Sequence, residues 1–116
     1  MKNFIYHITT GEQWSSAQAV NLYTPENYDQ DGFIHCSDAN QVLRTVTKFY
    51  QNVPDLILLQ IACNRVKAKI VWENLDRQPE LFPHIYGKLN LDSVVGFEPF
   101  LKNADGFFIL PHFLNL

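Results

Sequence analysis

Two strand-like segments, each carrying a histidine two residues before a hydroxyl and each running straight into a helix-capping sequence, constrain this chain most. Tyr6-His7-Ile8-Thr9 leads into Thr10-Gly11-Glu12-Gln13, and Ile34-His35-Cys36-Ser37 leads into Asp38-Ala39-Asn40-Gln41. In both capping sequences the first side chain can accept from an amide of the new helix while the fourth reaches back. The spacing therefore predicts a strand over 3–9 and a helix to about residue 21 that buries Trp14 and Ala17. A second strand over 33–37 precedes a helix with Val42, Val46, Phe49 and Tyr50 at helical spacing.

Residues 22–30 carry Pro25, Asn27, Asp29 and two tyrosines without a period, which reads as a surface loop with exposed aromatics, of the kind that closes over sites. After Pro54-Asp55, the apolar run Leu56-Ile57-Leu58-Leu59-Gln60-Ile61 has the form of a central strand, and Lys69–Glu73 follows as another after a turn over 63–67. A polar loop over 75–83 gives way to extended His84-Ile85-Tyr86-Gly87, and 94–98 and 107–110 supply the last strands. The pattern is α+β, with two helices in the N-terminal half and a mainly antiparallel remainder.

At 116 residues the chain has the size of one domain, 1–116, and 47% hydrophobic residues are ample for its core. A net charge of −3 with nine Lys+Arg leaves no cationic face to counter a phosphate backbone, so general nucleic-acid binding is not expected. The aliphatic run 56–59 falls far short of a membrane span, and 1–7 has no leader-like apolar stretch, so a cytoplasmic protein is expected. Cys36 and Cys63 are too few for a disulfide framework and too far apart for a CxxC motif. Both are expected reduced, with Cys36 buried.

Side chains two apart share a strand face. His7 and Thr9 then lie opposite Phe4, Tyr6 and Ile8, and with those three taken as the core face, His7 and Thr9 form a polar pair open to a ligand. By the same rule His35 and Ser37 lie opposite Ile34 and Cys36, His84 and Tyr86 share a side, and Glu73 ends its strand beside the stacking surface of Trp72. No nucleophile elbow and no phosphate-binding glycine loop is present. His7, His35 and His84 form a conceivable three-histidine metal set, but no His-x-His or HExxH spacing places two ligands on one element, and metal is not expected.

Taken together, Tyr6-His7-Ile8-Thr9, Asp31-Gly32-Phe33-Ile34-His35-Cys36-Ser37 and Phe82-Pro83-His84-Ile85-Tyr86-Gly87-x-Leu89-Asn90-Leu91 resemble a domain-of-unknown-function family of small bacterial proteins, from about Phe4 to Pro99. That family is grouped with the ADP-ribosyltransferase superfamily, and the first two motifs are similar to those of its RNA 2'-phosphotransferases. The resemblance implies a split antiparallel sheet with flanking helices and a cleft for NAD. In that cleft His7 and Thr9 hold ribose, His35 and Ser37 line the pocket, and Tyr86 or Trp72 stacks on nicotinamide. Glu73 would stabilise the oxocarbenium-like charge that develops while a histidine orients the ribose, which makes His7, His35 and Glu73 the catalytic candidates and leaves His84 among the cofactor-binding residues.

The chain departs from the wider pattern. Ile8 stands where the superfamily has glycine, Val71 stands where a second carboxylate or glutamine precedes the glutamate, and only three arginines are present. Arginine-directed transfer and 2'-phosphate removal are accordingly not expected. Relatives sometimes carry a glutathione S-transferase-like label, but such transferases need two domains and about twice this length. The resulting expectation is an ADP-ribosyltransferase-like protein that binds NAD or a related nucleotide and cleaves the nicotinamide bond. Its alternatives are a catalytically inactive nucleotide sensor, a histidine-based metal-dependent hydrolase, and a purely structural or partner-binding protein in which the histidines only bond backbone; the sequence names no particular protein partner.

Overall fold

The structure is a computed structural model that describes residues 3–75 and 79–114. β1 (Phe4–Thr10) pairs antiparallel with β4 (Leu56–Ala62), from Phe4 opposite Ala62 to Thr10 opposite Leu56. β8 (Val94–Pro99) takes the other edge of β4, with an irregularity at Gln60/Ile61. The order β1-β4-β8 makes β4 the middle strand, which is why its sequence is apolar on both faces. A second antiparallel sheet has the order β3-β6-β5, formed by Ile34–His35, Phe82–Tyr86 and Lys69–Glu73. A small ladder joins β2 (Leu22–Tyr23) to β7 (Leu89–Asn90).

One bridge stitches the two larger sheets together. Tyr6 and Ser37 exchange both backbone hydrogen bonds, at 2.8 Å each. Past that pair β1 and β3 part, and the parting positions the site described below.

α1 (Gly11–Val20) begins where Thr10 Oγ1 accepts from the Gln13 amide at 3.2 Å and ends at Asn21 in the left-handed conformation. It buries Trp14 and Ala17 against Ile5, Tyr23, Ile34 and Leu59 on one side of the sheets. A single turn, α2 (Tyr28–Asp31), stops at Gly32, whose φ of 78° suits a residue without Cβ. α3 (Val42–Phe49) follows a reciprocal box in which Asp38 Oδ1 accepts from the Asn40 and Gln41 amides while Gln41 Oε1 accepts from the Asp38 amide. Val42 and Val46 pack on Tyr6, Ile8, Leu58 and Phe100 on the opposite side.

The mixed α+β character, the mainly antiparallel pairing and the flanking α1 and α3 agree with the sequence pattern. Residues 107–110 do not form a strand: Phe108 meets Lys102 in one bridge and packs on Phe100, while Phe107 and Ile109 stay exposed. The turn at Gly106 folds this segment back on its own neighbours instead of onto a sheet edge. The expected loop over 22–30 contains β2 and α2, and Tyr23, expected on the surface, is 1% exposed. Among the described residues no helix is long and apolar enough to cross a membrane.

Candidate functional site

Strand alternation makes the two faces of β1 chemically unlike: Tyr6 and Ile8 are in a core cluster as expected, but His7 and Thr9, expected to be open to a ligand, are buried as well. Tyr6 and Ile8 point toward α3, while Ile5, His7 and Thr9 point toward α1. Both faces are covered, so an aromatic-aliphatic face was not sufficient to identify the interior side. His7 is buried with both ring nitrogens engaged: Nδ1 meets the His35 carbonyl and Nε2 meets the Tyr23 hydroxyl at 2.7 Å. The carbonyl can only accept, so Nδ1 carries the proton. Burial holds the imidazole pKa down to about 4, leaving Nε2 with a lone pair. The Tyr23 hydroxyl therefore donates to Nε2 and accepts from the Thr9 hydroxyl 2.9 Å away, since hydroxyl protons rotate to suit. Burial also pushes the Tyr23 phenol pKa upward.

A cleft of about 540 Å³ lies on the α3 side, beside the place where β1 and β3 part. Its floor includes Tyr6, Ile8, His35, Ser37 and His84, and α3 supplies a wall with Arg44, Thr45 and Lys48. Ser37 Oγ donates toward Thr45 Oγ1 at 3.4 Å, tying floor to wall. Arg44 is paired with Glu80 at 2.6 Å across the rim, and that pairing holds the Glu80 carboxyl below its ordinary pKa.

Glu73 and His84 meet on one face of the second sheet. His84 Nδ1 lies 2.8 Å from Glu73 Oε1, and the Tyr86 hydroxyl donates to the same oxygen. The Tyr86 bond first and the His84 bond second keep the Glu73 carboxyl pKa low, while the same bond raises that of the Tyr86 phenol. An ionised carboxylate only accepts, so Nδ1 of His84 carries a proton, and in the neutral ring Nε2 holds the lone pair. That nitrogen has no partner among the described residues, and the ring lines the cleft. Phe33 stacks on His84 with centroids 4.1 Å apart and fixes its plane. A second carboxylate–imidazole pair, Asp31 with His35 at 2.9 Å, sits beside the first, and the two histidine rings are 5.3 Å apart. The arrangement can take a proton from a hydroxyl or water and place a negative carboxylate beside developing positive charge.

His35, Ser37, Glu73 and His84 thus come together, with Tyr86 attached at the edge through Glu73. His7 and Thr9 lie on the other side of β1. Trp72 points away too: it is opposite Pro83 in the ladder and packs with Ile85 and Ile70 in the α1-side core, so it does not stack over Glu73. Because His7 faces away from His35 and His84, the three do not converge, and among the described residues no group of three or more His, Cys, Asp or Glu is placed to hold a metal. Cys36 is buried, and burial raises its thiol pKa. The α3 wall was not foreseen, although Arg44 and Lys48 stand at i, i+4 and so share a face.

Comparison with known proteins accords with this architecture without supplying an activity. The X-ray crystal structure of protein CC0527 from Caulobacter crescentus matches with a TM-score of 0.85 at 29% identity, covering 97% of this chain and 99% of that one. The solution NMR structure of CC0527 gives a TM-score of 0.77 at 28% identity, covering 90% of each chain. No curated protein matches this chain. Residues 8–97 match the family described as "Protein of unknown function (DUF952)". That span runs from the cleft edge of β1 into β8 and takes in the paired Glu73 and His84, and on it the chain belongs to the DUF952 family.

Proposed function

We propose that the α3-side cleft binds NAD or a related ADP-ribose-type nucleotide and that Glu73 and His84 act on its nicotinamide glycosidic bond. The observation that carries this reading is the Glu73–His84 pair, held by Tyr86 and Phe33 at a cleft of about 540 Å³, within the range of small-molecule sites. Bond breaking sends the glycosidic electron pair to the nicotinamide nitrogen and leaves oxocarbenium-like charge on the ribose. The Glu73 carboxylate stabilises that charge, and His84 Nε2 takes the proton of the attacking water or acceptor hydroxyl.

The backbone of β1 supports an amide-bearing ligand. Tyr6 turns its N–H and C=O away from β4 to Ser37, and residues two apart repeat this orientation, so Ile8 turns the same groups toward the gap. A donor and an acceptor side by side match a carboxamide. Arg44 and Lys48 offer positive charge for a diphosphate, and Tyr6 and Phe82 give apolar surface. This assignment moves ribose and nicotinamide binding from His7, Thr9 and Trp72 to the other side of the sheet.

Calorimetric titration with NAD and chromatographic assay of free nicotinamide test the proposal together. Saturable binding to wild type, retained in Glu73→Gln while nicotinamide release falls on the order of 10²-fold or more, is the expected result. Binding without release in wild type would reduce the site to a nucleotide sensor. No binding at millimolar NAD would refute the nucleotide assignment.

A further inference from the structure

β1 meets the segment just past β3 in one hydrogen-bonded antiparallel bridge, Tyr6–Ser37, and the pairing does not continue into β3. In an antiparallel ladder hydrogen-bonded pairs recur every second residue, so the pair after Tyr6–Ser37 would be Ile8–His35. In that pair the Ile8 amide would donate to the His35 carbonyl. The carbonyl is instead taken by the ring of His7, the residue between Tyr6 and Ile8, through Nδ1–H. Tyr23 and Thr9 hold that ring from behind, on the α1 side. One buried side chain thus occupies the acceptor that would continue the ladder, and the cleft lies where the ladder is missing, lined by Ile8 and His35.

We infer that His7 is a positioning residue that holds the sheet split: by capturing the His35 carbonyl it keeps β1 and β3 apart, frees the Ile8 amide, and orients the strand that presents His35 and Ser37 to the cleft. It touches no ligand. Nucleotide binding depends on it indirectly, if the reading above holds, but the split itself is a property of the ligand-free protein. The chain Thr9–Tyr23–His7 is then the rear support of the cleft, with one direction of proton donation from Thr9 through Tyr23 and His7 to the His35 carbonyl.

Three variants and two readouts test this. His7→Phe keeps a buried ring and removes both bonds, whereas His7→Asn keeps an N–H near the Nδ1 position. Amide exchange and the scalar coupling across the hydrogen bond between the Ile8 nitrogen and the His35 carbonyl carbon are measured by NMR without ligand. In His7→Phe the Ile8 amide is expected to gain about tenfold protection, as one added hydrogen bond supplies, and to acquire the coupling, with Ser37 and His84 shifting. His7→Asn stays like wild type. An Ile8 amide unchanged in His7→Phe, or already protected and coupled to His35 in wild type, overturns the inference.

If His7→Phe does not fold, wild type still decides. Coupling from His7 Nδ1 to the His35 carbonyl must be present, and Ile8 must exchange at least about tenfold faster than His7, whose amide lies in the β1–β4 ladder. A third variant, Tyr23→Phe, leaves the His35 bond and is expected to leave Ile8 unprotected as well. Loss of NAD binding in His7→Phe with no change at Ile8 would make His7 a ligand contact and overturn the inference. Absence of NAD binding in wild type would defeat the nucleotide reading alone, because the Ile8 readout needs no ligand.

Discussion

A histidine whose two ring nitrogens are both committed inside the fold resists protonation, and this sets a pH dependence at the scale of one residue. The His7 pKa falls from an ordinary 6.5 to about 4, chiefly by burial. Below 6.5 the unfolded chain binds a proton that the folded one does not, so stability falls as pH drops and the loss is complete below about 4. The shift corresponds to roughly 3 kcal/mol. Urea unfolding of wild type between pH 7 and 4 should show this slope, and His7→Phe should lack it. Equal slopes would mean that His7 is not buried neutral. Tyr23→Phe deletes the donor to Nε2 and strands a buried acceptor, at a cost of about 1–3 kcal/mol in the same assay. A cost near zero would show that the Tyr23 hydroxyl does not support the ring.

At the scale of elements, α3 is both a wall of the cleft and a lid on the second core cluster, so its anchoring controls the site's shape. Asp38 and Gln41 cap its entry reciprocally, and Gln41 Nε2 also donates to the Leu81 carbonyl at 2.7 Å, tying the helix to the loop before β6. Asp38→Ala should cost on the order of 1 kcal/mol and loosen the first turn of α3 in hydrogen exchange while β1 and β4 stay protected. Unchanged exchange at Val42–Thr45 would contradict this anchoring.

The elements themselves were largely legible because they follow local rules: Thr10 and Asp38 announced both helix entries, and the 56–61 run announced the middle strand. The facing of β1 was not legible. A strand covered on both sides carries no alternation that distinguishes them, and the burial of both Tyr6 and His7 depends on α3 and Tyr23, which are distant in sequence. For the same reason Trp72, adjacent to Glu73, was assigned to the cleft although its strand turns it into the core. His35, Ser37, Glu73 and His84 do line one cleft: alternation within each short strand sets their faces, and the pairing of β3 and β5 with β6 brings those faces together.

For the whole molecule, the β-structure is built in two halves joined at Tyr6–Ser37, and the proposed nucleotide site is the gap beyond this join. The gap faces α3, carries the Glu73–His84 pair, and is separated from the His7–Tyr23–Thr9 chain by β1 itself. A ligand there must perturb one side of the strand and spare the other. The most direct measurement is an NMR titration of isotopically labelled protein with NAD, following backbone amides together with the imidazole signals of His7, His35 and His84. A nucleotide in the gap predicts saturable shifts at Ile8, Ser37, Thr45 and the rings of His35 and His84, with the Tyr23 amide nearly still. Shifts centred on Tyr23 and Thr9, or none at millimolar NAD, would contradict it.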